Sequence, residues 1–71
     1  MIEVWTYSGY RDDERPVKFI LNGVVHQVEE IVDRWYGQEA DYYKVRTDRG
    51  KVYILRQDRF TGIWDLESIC A

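Results

Sequence analysis

Val24-Val25-His26-Gln27-Val28-Glu29-Glu30-Ile31-Val32-Asp33-Arg34-Trp35-Tyr36 is the stretch on which the fold turns. Its apolar residues fit two periods at once. Val24, Val25, Val28, Ile31, Val32 and Trp35 trace one face of a helix that Gly37 could end, whereas Val24, His26 and Val28 alternate with Val25, Gln27 and Glu29 as in a strand. Three features favour the strand. Valine and isoleucine are stiff at χ1 and pack well on a pleated surface. The alternation itself is the second. The third is Asn22-Gly23, directly before Val24, the dipeptide best able to take the positive φ angles of a type I′ hairpin turn. A strand over 24–36 is long enough to need a bend, and a bulge near Glu29-Glu30 brings both Val28 and Ile31 to the core. The alternative is an α+β fold with one helix over about residues 24–36.

Working outward, Val17 to Leu21 precedes the turn, with Val17, Phe19 and Leu21 on one face. Ile2 to Tyr7 is a further strand, followed by Ser8-Gly9 and a polar loop from Arg11 to Pro16. On the other side, Gly37 to Asp41 connects to a half-solvated strand, Tyr42 to Thr47, with Tyr43 and Val45 on one face and Lys44 and Arg46 on the other. Asp48-Arg49-Gly50 turns into Lys51 to Arg56, with Val52 and Ile54 inward, or Tyr53 and Leu55 if both faces are covered. Asp58 to Gly62 turns again, and Ile63 to Ile69 is the last strand, with Trp64 and Leu66 in the core. The expectation is a mostly β, antiparallel, six-strand curled sheet or small SH3/OB-like barrel, because curling protects edges that a flat sheet exposes. Its anchors are Phe19, Val28, Ile31, Trp35, Ile54 and Trp64.

With 71 residues, the chain has room for one domain, residues 1–71, whose modest core leaves stability scarce. The single cysteine, Cys70, cannot form an internal bridge, so packing must suffice. Packing is well supplied, since 45% of residues are hydrophobic and 15% aromatic. No apolar run is long enough to span a bilayer, and Met1 to Tyr10 lacks a signal peptide's basic flank, so a cytoplasmic location is expected. A net charge of −3 argues against tight, non-specific binding to phosphate backbones.

Catalytic chemistry finds few candidates. His26, the one histidine, lies among valines and reads as a surface or half-buried imidazole, and Cys70 reads as an incidental thiol. The acids Asp12-Asp13-Glu14, Glu29-Glu30-Asp33 and Glu39 to Asp41 lack metal-ligand spacing, and no phosphate cradle, zinc spacing or nucleophile elbow is present. No cofactor is implied, and the expectation is a non-enzyme. The Asp-Arg pairs at 33–34, 48–49 and 58–59 read as turn chemistry. Aromatic and basic residues do interleave, and they define a candidate surface of Tyr36, Tyr43, Lys44, Arg46, Lys51, Tyr53 and Arg56. The first reading of it is an interaction module for an unknown protein partner or for self-association. The alternative is a nucleic-acid accessory module holding single-stranded DNA or RNA through Tyr43, Lys44 and Arg46, by stacking on rings beside cations.

The pattern Phe19-x-Leu21-x-Gly23, Val28-x-Glu30-Ile31, Asp33-Arg34-Trp35, Val52-Tyr53-x-Leu55-x-x-Asp58-Arg59 and Trp64-x-Leu66 resembles a small bacterial family, a conserved domain of unknown function. The resemblance covers most of the chain after Val17. It implies a hairpin opening at the glycine and tryptophans serving as core anchors, with no catalytic motif. The resemblance further implies a place beside translesion-type DNA polymerases, which raises the nucleic-acid reading without locating a site.

Overall fold

Asn22 and Gly23 have φ of 52° and 79°, the paired left-handed conformation that a type I′ turn demands. The strands on either side therefore leave the turn with matching twist. The structure, a computed structural model, describes residues 1–8 and 14–70, and for Ser8 and Glu14 the backbone alone. It is all β among those residues: β1 (Glu3–Ser8), β2 (Glu14–Leu21), β3 (Val24–Tyr36), β4 (Ala40–Thr47), β5 (Val52–Asp58) and β6 (Trp64–Cys70). Each strand pairs antiparallel with the next, in the order β1-β2-β3-β4-β5-β6. The result is a meander curled into a half-barrel. Part of the expected loop, Arg11 to Asp13, lies outside the described residues, whereas residues 14–16, expected as loop, are strand.

The stretch 24–36 is a strand throughout, and its ladder explains why it also reads as a helix. β3 pairs with β2 from Val24 to Gln27 and with β4 from Val28 to Tyr36, so one strand serves two halves of the sheet in turn. The pairing with β4 slips between Val28 and Glu30 and again between Ile31 and Asp33, leaving Glu29 and Val32 as extra residues. Each bulge adds one residue between successive inward positions. Val28, Ile31 and Arg34 thus recur at a spacing of three while staying on one face, which imitates a helical period. The bulge expected near Glu29-Glu30 is present. Trp35, expected as an anchor, is the exception: it falls on the outer face, 38% exposed, because the second bulge shifts the phase.

A third bulge sits in β2. Trp5 pairs with Lys18 and Thr6 with Pro16, so Val17 is extra and turns outward, while Pro16 and Phe19 are fully buried. The expectation that Val17 shares a face with Phe19 fails for that reason. β5 has no such interruption ahead of its centre, and its alternation puts Tyr53 and Leu55 inside and Ile54 outside. Ile54 is therefore corrected from a core anchor to a half-buried residue of the outer face.

The concave side holds the core: Phe19, Tyr43, Val45, Tyr53, Leu55 and Trp64, ringed by Ile2, Val4, Leu21, Val28, Ile31 and Leu66. Each large side chain fully removed from water contributes about 1.5–3 kcal/mol before entropy is set against it. The curl brings the two outermost strands together at one corner, where the Ile2 amide donates to the Trp64 carbonyl at 3.0 Å and the Met1 amine lies 2.9 Å from Asp65. Beyond that bridge, among the described residues, β1 and β6 diverge unpaired.

Candidate functional site

Alternation and register sort the sequence-derived surface into two faces. Tyr43 and Tyr53 are 3% and 4% exposed and belong to the core, so neither can stack on a ligand; burial pushes the Tyr43 phenol above its usual range. Arg34, which sequence reasoning did not single out, reaches inward beside it, 5.3 Å from the Tyr43 ring and 5.8 Å from that of Tyr36. Tyr36 is 65% exposed at the end of β3.

Lys44, Arg46 and Arg56 lie on the outer face, each in a cross-strand row. Trp35, Tyr42, Arg56 and Asp65 form one row, Asp33, Lys44, Ile54 and Ser68 the next, and Glu30, Arg46, Val52 and Cys70 the third. Every cation in these rows has an acid at hand. Arg46 contacts Glu29 and Glu30, both at 3.1 Å, Arg56 lies 4.0 Å from Asp58, and Lys44 stands opposite Asp33. Trp35 stacks on Tyr42, with planes 5° apart and centroids 5.5 Å apart. Lys51 is exposed beside the Gly50 turn and remote in register from the aromatic row. The seven residues are thus not one surface, and the cations among them that share the outer face are largely neutralised by neighbouring acids.

A different set converges on the outer face of β1 and β2. Trp5 and Tyr7 are 39% and 57% exposed, and across the ladder stand Lys18 and Arg15. The Lys18 ammonium lies 4.9 Å from the Trp5 ring centroid. Among the described residues no acid pairs with Lys18 or Arg15. These residues escaped notice in the sequence because the aromatics and cations are distant along the chain and meet only through the β1–β2 register.

The edge of β1 is open. The Ile2 amide points outward to Trp64, so by alternation the N–H and C=O groups of Val4, Thr6 and Ser8 point outward as well, with no strand to receive them among the described residues. A cleft of about 380 Å³ runs beside it, lined by Met1, Ile2, Glu3, Val4, Trp5, Gly62, Ile63 and Trp64. A second, of about 270 Å³, opens where β2 and β3 part. Among the described residues, neither cleft gathers a nucleophile with a base, and no three His, Cys, Asp or Glu side chains are placed to hold a metal ion. No helix there is long and apolar enough to cross a membrane. His26 is buried, not at the surface, stacked on Phe19 and edge-on to Tyr53.

Compared with protein-family models, with curated proteins and with solved structures, the chain matches none. No relative or structural neighbour therefore lends it a substrate or a partner.

Proposed function

We propose that this protein is a non-enzymatic association module that binds another polypeptide by strand addition at the open edge of β1. One observation carries the reading. Among the described residues, β1 is an unpaired edge without a bulge, while β3 is interrupted at Glu29 and Val32 and β6 at Glu67. Bulges and charges are the usual means by which a free edge is kept from pairing, and β1 has neither beyond Glu3 at its start. Val4-Trp5-Thr6-Tyr7 is instead uniformly β-branched or aromatic, the composition that suits a receiving strand. The test is a selection of extended peptides against the protein, followed by amide exchange of the complexes. Selective protection of the Val4, Thr6 and Ser8 amides is the expected result, and peptides that protect none of them would sink the reading.

A second reading, single-stranded nucleic acid, is favoured by the exposed Trp5 and Tyr7 beside Lys18 and Arg15, which pair with no acid among the described residues, since rings next to cations are how such strands are held. Salt-sensitive binding that Trp5→Ala weakens would support it, and its absence at tens of micromolar would end it.

A further inference from the structure

We infer that the polypeptide received by β1 is a second copy of this chain, joined antiparallel about a two-fold axis at Thr6. The inference rests on the strand-addition reading and adds the partner and the register. The outward groups of β1 belong to its even-numbered residues, and that of Ile2 is already taken by Trp64. An antiparallel self-pairing must oppose residues of the same face, so the candidate registers differ by whole pairs of residues. Centring on Trp5 opposes Ser8 to Ile2 and competes with the existing bridge, and centring on Tyr7 leaves Val4 without a partner on β1. Centring on Thr6 opposes Thr6 to Thr6 and Val4 to Ser8. It engages every free outward group of the strand in about six N–H···O bonds and leaves the corner intact.

The side chains agree with this register. It places Trp5 of each copy opposite Tyr7 of the other in the closer, non-hydrogen-bonded type of pair, where aromatic partners interact best. The resulting outer row reads Lys18, Trp5, then Tyr7 and Arg15 of the second copy, so the cations stand at its two ends. Charge is complementary as well. Glu3 of one copy lies about 12 Å from Arg15 of the other by strand spacing, within the joint reach of the two side chains, and Arg15 has no acid of its own among the described residues. The exposed parts of the four rings amount to on the order of 400 Å², and the paired backbone adds to it, so the contact falls below the ~1,200 Å² of a standard interface and the dimer is weak.

Sedimentation of the full chain from about 10 µM to about 1 mM tests this, the range in which so small an interface titrates. The expected result is a rise from 8.6 kDa toward twice that mass. Thr6→Pro removes an outward N–H that no described residue of the monomer receives, and Tyr7→Ala removes an exposed ring; each should weaken association about tenfold or more. Should Thr6→Pro lose its β circular dichroism, Tyr7→Ala carries the test alone. In a Cys70→Ser background, Thr6→Cys should oxidise to a covalent dimer and Val4→Cys should not, since only residue 6 faces itself. A chain monomeric at about 1 mM, a dimer indifferent to Tyr7→Ala, or cross-linking at Val4 in place of Thr6 would each overturn the inference. A monomer whose Val4, Thr6 and Ser8 amides are still protected by selected peptides refutes the second copy and leaves strand addition standing. Amides unprotected by peptide and by concentration refute both.

Discussion

The imidazole of His26 stacks on the ring of Phe19, centroids 5.1 Å apart and planes 14° apart, and meets Tyr53 edge-on at 5.3 Å. A histidine is thus built into an aromatic core, with no hydrogen-bond partner for Nδ1 among the described residues. Burial, first, and the nearby Arg49 and Lys51 lower its pKa, while Asp48 opposes them.

This geometry fixes the sign of a pH effect. A histidine whose pKa is lower folded than unfolded costs nothing above its unfolded value of about 6.5, where both states are neutral. Stability is lost as pH falls through that value toward the folded one. Urea midpoints should therefore drop between pH 7 and pH 5, and His26→Phe should flatten that drop, because phenylalanine keeps the stack without a titrating group. An equal drop in the variant would place the acid sensitivity elsewhere.

Leu55 and Ile54 are neighbours in β5 with opposite fates, one fully buried and one on the outer face. Leu55→Ala should cost about 2–5 kcal/mol, comparable to the whole stability of so small a domain, and leave the chain unfolded. Ile54→Ala should cost appreciably less and leave a cooperative thermal transition. A reversal of that order by differential scanning calorimetry would mean that the phase of β5 is inverted.

Asp58 closes the turn before β6. Its Oδ1 accepts the amides of Phe60 at 2.8 Å and Thr61 at 2.9 Å, and these bonds, that of Thr61 foremost, hold its carboxyl below the usual range. A depressed carboxyl contributes stability above its unfolded pKa, lost as pH falls through the folded one. Asp58→Ala should lower the melting temperature at neutral pH more than at strongly acid pH, and Asp58→Asn, which keeps an acceptor, should recover most of the loss.

Gly23, at φ 79°, has no atom within 4 Å of a Cβ built upon it, so strain and not crowding opposes substitution. Gly23→Val should cost about 1–2 kcal/mol, the penalty of a side chain in the left-handed region. Chemical denaturation should show it without a change in the denaturant slope, since the sheet itself is retained.

Much of this fold is legible in the sequence. Asn22-Gly23 fixed one hairpin through its dihedral preferences, and the bulge at Glu29-Glu30 followed from the need to bury both Val28 and Ile31. Lys44 and Arg46 were separable from Tyr43 by simple alternation within β4. The candidate surface nonetheless spans both faces, because residues adjacent along a strand point to opposite sides of the sheet. Val17 and Trp35 lie outward, against expectation, because a bulge reverses inward and outward without leaving a mark in composition.

By itself, then, the sequence determined strands and turns, which depend on residues close along the chain. Tertiary structure alone decided which aromatics are core, since the phase of each strand depends on bulges set by its partner. It alone brought Trp5 beside Lys18, and Tyr7 beside Arg15, across a ladder. It alone left β1 open among the described residues, because curvature, a property of the whole sheet, determines whether Ile2 meets Trp64 at a corner or along a full edge.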